Sequence, residues 1–154
     1  MSDAMPTTPH RIVTVDDTRI AIAEACIVGT ADGVPTTSTP LTPRPVAGLT
    51  NHEGTATVVV DLRAAIGLDD HEPLDAGPVL FIETAEGRLG LRVERIDGTA
   101  DIATDRLQPT PMTMIPAARR VLSGLHVADG EVSAVLDPSA SLATLGDADD
   151  PFAS

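Results

Sequence analysis

Four histidines, one cysteine and a run of carboxylates are the side chains with most chemistry to offer in this chain, and their spacing decides whether they can use it. His10, His52, His71 and His126 are scattered, and no pair has the spacing of a helical or hairpin metal site, which needs clustered donors. Asp69, Asp70, Glu72 and Asp75 are oxygen ligands suited to a hard cation. They lack the alternate-position pattern and central glycine of a calcium loop, and read as a solvated acidic connector. Asp97-Gly98-Thr99 has the residue types of the aspartic-protease triplet in the wrong order and reads as a tight turn. Cys26 lies in an apolar run with no histidine beside it, which suits a small core residue rather than a nucleophile. There is no lysine, hence no phosphate-binding Gly-Lys-Ser/Thr loop, and no Gly-x-Ser-x-Gly elbow. The expectation is a non-enzymatic protein with no catalytic residue, no metal and no cofactor.

A chain of 154 residues is long enough for one domain with a real core, and 42% hydrophobic content supports a globular protein. That core lacks large anchors: Trp and Tyr are absent, and Phe occurs only at 81 and 152. Val, Ile, Leu and Ala must fill it, which suits a β-rich interior. The net charge of -13 repels phosphate backbones and anionic membranes, so neither nucleic acid nor a lipid surface is expected as partner. One cysteine excludes a disulfide framework, and no apolar run is long enough to span a bilayer. The expected location is the cytoplasm.

Taken in order, residues 1–9 read as a flexible lead-in, and 11–15 with 19–23 as a β-hairpin turning at Asp16-Asp17-Thr18. Residues 24–29 fit strand or helix equally. Prolines 35, 40, 43 and 45 make 30–45 a loop. Gly48, Asn51 and Gly54 punctuate a turn before Thr55 to Val60, the strongest β-forming run in the chain. Asp61 is placed to cap a short helical segment after it. Residues 79–84 and 88–93 form a second hairpin, the return strand alternating Leu89, Leu91 and Val93 with Arg88, Gly90 and Arg92. A last hairpin turns at Asp129-Gly130, a helix over 139–145 with Ser139 as cap follows, and 146–154 is an acidic flexible tail. Eight to ten short strands with turns every eight to twelve residues define an all-β domain.

The order Gly48-x-x-Asn51-x-x-Gly54, a β run, then Asp61-Leu62-Arg63 resembles the CheW-like chemotaxis coupling proteins. The opening hairpin, the proline-rich loop, Asp97-Gly98, Pro109-x-Pro111, and Gly124-Leu125 with Asp137 follow in the family's order, so the resemblance runs from about 11 to 145. It implies a single domain over 10–145 built as two small SH3-like β-barrel subdomains with a short C-terminal helix. The first barrel would take 10–73 with 131–145, and the second 74–130. By family precedent, 94–102 would be two strands about an Asp-Gly turn, and 116–122, which could form a helical turn, would be a loop entering a strand.

The resemblance also implies an adaptor joining the regulatory domain of a CheA-type histidine kinase to the cytoplasmic tip of chemoreceptors, without membrane insertion. It would place Asn51, His52, Glu53, Gly54, Thr57, Val59 and Arg63 at the partner-facing surface. Members carry Asn-Leu-Arg-Gly at the key turn, where this chain has Asn51-His52-Glu53-Gly54, and a proline where it has Val58. An acid in place of the arginine repels a partner that has not changed to match. The alternatives are a divergent CheW-like scaffold in another two-component system and a small β-barrel that binds a soluble ligand.

Overall fold

The computed structural model describes residues 6–32, 46–66, 77–85, 87–111 and 116–145. The flexible-tail expectations for 1–5 and 146–154, the loop over 33–45, and the acidic connector with His71 lie outside the described residues.

The described chain forms ten strands: β1 (Thr8–Val15), β2 (Thr18–Ala23), β3 (Ile27–Ala31), β4 (Val46–His52), β5 (Thr55–Asp61), β6 (Val79–Thr84), β7 (Gly87–Arg92), β8 (Arg95–Ile102), β9 (Leu122–Ala128) and β10 (Glu131–Leu136). Three short helices accompany them: α1 (Leu62–Ala65), α2 (Pro116–Val121) and α3 (Pro138–Leu145). The strands make two five-stranded sheets, ordered β8-β1-β2-β10-β9 and β3-β6-β7-β5-β4. Both have the same plan. An antiparallel hairpin (β1-β2 or β6-β7) lies parallel to one strand of a second hairpin (β10-β9 or β5-β4), and a fifth strand adds to the outer edge.

The sheets divide the chain differently from the expected barrel boundaries. β3, β4 and β5 pair with β6 and β7, while β8 and β9 join β1, β2 and β10. The tight hairpins account for the local pairing: at Asp16-Asp17, Glu53-Gly54 and Asp129-Gly130 both loop residues have positive φ. That is the primed turn whose twist matches the strands it joins.

The remaining corrections are local. Asp97-Gly98 is not a turn between two strands. It lies within β8, where the register against β1 slips at Ile12/Val13, so the extra residue is absorbed as a bulge. Residues 116–121 are helical rather than a loop: Pro116 suits a first helical position, where its missing amide is not needed. α3 starts one residue earlier than expected and is capped by Asp137, whose Oδ1 accepts the Ala140 amide at 3.0 Å, not by Ser139. The undecided segment 24–29 is a 3-10 turn over Glu24–Cys26 leading into β3. There Cys26 donates to the Ala23 carbonyl, and burial pushes its thiol up to about 11, as fits a core residue.

Side-chain alternation gives each sheet two apolar faces. One face of each meets in a shared core that includes Val13, Val15, Ile20 and Ile22 of the first sheet, Val58, Val60, Leu80, Ile82, Leu89 and Leu91 of the second, and Val121 of α2. The opposite faces form two separate small clusters, Ile12, Ala21, Ile102 and Val135 in the first sheet and Val59, Val79 and Phe81 in the second. α3 leaves β10 and packs on α2, β6 and β7, tying one sheet to the other.

The first sheet draws its edges together beyond β8. Gln108 and Leu125 exchange two backbone hydrogen bonds of 2.8 Å, joining the segment after β8 to β9. Gly124 makes this approach possible, because a β-carbon there would lie 2.7 Å from the Gln108 carbonyl oxygen and 2.9 Å from Leu107 Cβ. Gly124→Ala should therefore lower stability by about 1–3 kcal/mol, as overpacking against backbone does, and urea unfolding should show a lower midpoint with an unchanged slope.

In the β8 bulge, Asp97 accepts from Thr14 Oγ1 through Oδ2 and from Arg95 Nε at 2.6 Å through Oδ1. The Thr14 hydroxyl, then Arg95, hold its carboxyl below the usual carboxylate range. A carboxyl depressed on folding stabilises the native state above its unfolded pKa, and that contribution disappears as pH falls through the folded value. The loss therefore lies below about pH 4. NMR titration should show Asp97 protonating below ordinary aspartates, and Thr14→Val should move it back upward.

Candidate functional site

The β4-β5 hairpin carries most of the expected partner surface. Gly48 and Asn51 belong to β4 rather than to the turn, and the loop is only Glu53 and Gly54, with φ of 53° and 83°. The closing pair is His52 and Thr55, and Asn51 Oδ1 accepts the Gly54 amide at 2.8 Å. Gly54 takes the positive φ without strain. Glu53 is a less usual occupant, since such angles favour Gly, Asn and Asp.

Strand alternation separates the seven expected contact residues. His52, Thr57 and Val59 share a face of the hairpin with Gly48, because His52 pairs Thr55, Thr50 pairs Thr57 and Gly48 pairs Val59. This is the inner face. Thr57 is 2% exposed and Val59 0%, Val59 packing in the small cluster with Val79 and Phe81, so neither can touch a partner. Their expectation as contacts is corrected on that ground: every residue from Thr57 to Asp61 is buried, so the strand has no solvent face there. Asn51, Glu53 and Gly54 are exposed at the tip, and Arg63 is half-buried in α1. Asp61 is buried and accepts the Arg63 amide at 3.0 Å through Oδ1, the capping role expected of it.

His52 does something the sequence did not announce. Its ring stacks on Phe81 of β6, with centroids 3.8 Å apart and planes 4° from parallel. It also reaches β3 at the far edge of the sheet, where a β-carbon on Gly29 would come within 3.3 Å of Nε2. One histidine on edge strand β4 thus meets edge strand β3, and the sheet is rolled enough for its two edges to share a ring. Inside the roll, Gly90 leaves room for Val59, Val79 and Phe81, all within 3.1–3.2 Å of where its β-carbon would stand.

A chain of polar contacts fixes the ring. Arg88 Nη1 lies 3.1 Å from His52 Nδ1. A guanidinium only donates, so Nδ1 is the acceptor and the neutral ring carries its proton on Nε2, 3.4 Å from Glu53 Oε1. Arg88 also binds Glu83 Oε2 through Nε at 3.1 Å and Nη2 at 2.8 Å, and passes 3.8 Å from Glu53 Oε1. Glu53 therefore faces a cation of its own chain. Arg88, Glu83 and Phe81 were missed as members of this site. The Glu83-Arg88 cross-strand pair was legible from the hairpin register, but their meeting with His52 depends on the roll of the sheet.

Among the described residues no group of three or more His, Cys, Asp and Glu side chains is placed to hold a metal ion. Nor is any helix among them long and apolar enough to cross a membrane. The hairpin tip presents backbone, an amide and a carboxylate, which are means of recognition.

The fold has counterparts. The model of the CheW-like domain matches residues 11–145. The crystal structure of the scaffolding protein TtCheW from Thermoanaerobacter tengcongensis superposes with a TM-score of 0.74 at 16% identity, over 86% of this chain and 90% of that one. No curated protein matches by sequence. The chain belongs to the CheW-like domain family, a family of chemotaxis adaptors that act in signal transduction by protein–protein interaction, as scaffolds and not as enzymes.

His52→Ala should lower stability by about 1–3 kcal/mol, through the lost stack and the cavity left against Phe81. It should also raise amide hydrogen exchange in β3 and β4 selectively, because those are the edges the ring joins.

Proposed function

We propose that this protein is a non-enzymatic adaptor that couples the cytoplasmic tips of chemoreceptors to the regulatory domain of a CheA-type histidine kinase. The observation that carries this reading is the extent of the family match, which takes in both sheets, the β4-β5 hairpin and the C-terminal helix. Each sheet would be one of two SH3-like barrels. The contacts that draw the sheet edges together, His52 against Gly29 and Gln108 with Leu125, support that finer description.

The mechanism is recognition. A barrel face packs on a related barrel of the kinase, a groove receives the receptor helix hairpin, and coupling is the difference in affinity between signalling states. Asn51, Glu53, Gly54 and Arg63 are the contacts that remain from the expected set, supported by their exposed or half-buried positions. His52 acts through the tip it braces. On the first sheet, Val127 and Val132 are cross-strand partners, 47% and 51% exposed, and supply an apolar contact. The protein works in the cytoplasm and binds neither nucleic acid nor lipid, a reading its net charge of -13 supports.

A second reading is a divergent scaffold serving another two-component array. It is favoured by Glu53, which stands where relatives carry arginine and faces Arg88 of its own chain.

Calorimetric titration against the CheA regulatory domain of the same organism decides between them. Under the first reading binding is micromolar or tighter, and Glu53→Arg changes the affinity about fivefold or more, the size of one well-placed charge pair. Absence of binding by a folded sample rejects the kinase partner. Unchanged affinity in Glu53→Arg removes the tip from the interface.

A further inference from the structure

The His52 ring can hold its present contacts in only one protonation state. Its Nδ1 accepts from Arg88 Nη1 at 3.1 Å, so the ring is neutral, with its proton on Nε2, 3.4 Å from Glu53 Oε1. An imidazolium donates from both nitrogens and a guanidinium only donates. A protonated ring therefore loses the Arg88 bond and faces a like charge in its place. Imidazole is also the side chain that ordinarily changes charge between pH 5 and 8. The His52 side chain is 15% exposed, so a proton from solvent can reach it. Among the described residues, the charged groups facing the ring are Arg88 from β7 and Glu53 of its own hairpin, with Glu83 of β6 bound to Arg88. β3, which approaches at Gly29, has no ionisable side chain, and the only one on β5 is Asp61 at its far end.

We propose that protonation of His52 is a switch that draws Glu53 inward from the hairpin tip. With the ring neutral, Glu53 and Glu83 share one guanidinium, and the Glu53 side chain is 68% exposed. Proton uptake from solvent forms one bond, Nδ1–H, and breaks only the hydrogen bond from Arg88. Arg88 keeps Glu83 through Nε at 3.1 Å and Nη2 at 2.8 Å, so the arm released is Nη1, and Glu53 Oε1 lies 3.8 Å from it. The same Oε1 lies beside ring Nε2, which now belongs to a cation. Charge-assisted hydrogen bonds are shorter and stronger than neutral ones, so both cations pull the carboxylate toward the ring. The stack on Phe81 holds the imidazole, so the carboxylate is the part that moves. At higher pH the tip presents an outward carboxylate, and at lower pH a neutralised one drawn against its own sheet. The switch belongs to the free chain and stands whether or not the tip meets a kinase.

NMR of the intact chain from about pH 8 to about pH 5 tests it, following the His52 ring, the Arg88 Nε–H and the three-bond couplings that report the Glu53 rotamer. The Arg88 signal should shift and the outward Glu53 rotamer should lose population in step with protonation of the ring. His52→Phe keeps an aromatic ring against Phe81 and cannot take up a proton. In that variant, folded by circular dichroism, both changes should vanish, which separates them from the titration of the other three histidines. A ring still neutral at the acid end, Glu53 couplings or an Arg88 signal that stay constant while the ring is protonated, or changes that persist in folded His52→Phe each overturn the proposal. The wild-type readouts decide it even if the variant fails to fold.

Discussion

The inner face of each curved five-stranded sheet has room for only a few side chains, and the rest of this structure depends on how that space is filled. In the second sheet Gly90 lies where any β-carbon would press on Val59, Val79 and Phe81. In the first sheet Ala21 takes part in the equally small cluster with Ile12, Ile102 and Val135. Small residues at these two positions leave room for valines, isoleucines and one phenylalanine to pack closely, as a dense interior demands. The large core then forms between the two sheets from their outer apolar faces. A chain with no tryptophan or tyrosine can fill such thin interiors, because none of them needs a large anchor.

The same constraint explains why the β4-β5 hairpin is both a structural brace and a surface. His52 projects inward and joins the sheet edges, while Glu53 and Gly54, the next two residues, turn outward at the tip. The imidazole, the Arg88 guanidinium and the Glu83 and Glu53 carboxylates make one connected network. The individual exposed ion pairs in it contribute little by themselves. Their effect is positional, since they orient a ring whose stacked face is already fixed by Phe81. The brace therefore fixes the shape in which the tip presents Glu53 and Gly54 to solvent.

Charge at the tip carries the same lesson. The resemblance implied a basic residue at this turn, and Glu53 reverses that expectation. Within its own chain the reversal is accommodated, because Arg88 and His52 lie beside it. Complementarity with a partner is a separate matter, governed by the charge the partner brings to the tip.

Much of the fold was legible in the chain. Alternating runs separated by Asp-Asp, Glu-Gly and Asp-Gly specify hairpins because turn residues and side-chain parity are local properties, and Asp61 before a helical segment specifies a cap for the same reason. Local patterning did not decide which hairpins share a sheet, or whether Asp97-Gly98 bends a strand or ends it. The bulge in β8 follows from β1 lying alongside, more than eighty residues away in sequence. The site divided in the same way. Exposure of Glu53 and Gly54 followed from their place in a turn. The burial of Thr57 and Val59 and the stacking of His52 on Phe81 came from the rolling of the second sheet. Rolling sets which of a strand's two faces becomes an interior, and that choice is made by contacts between strands distant in the chain, so only the tertiary structure could decide it.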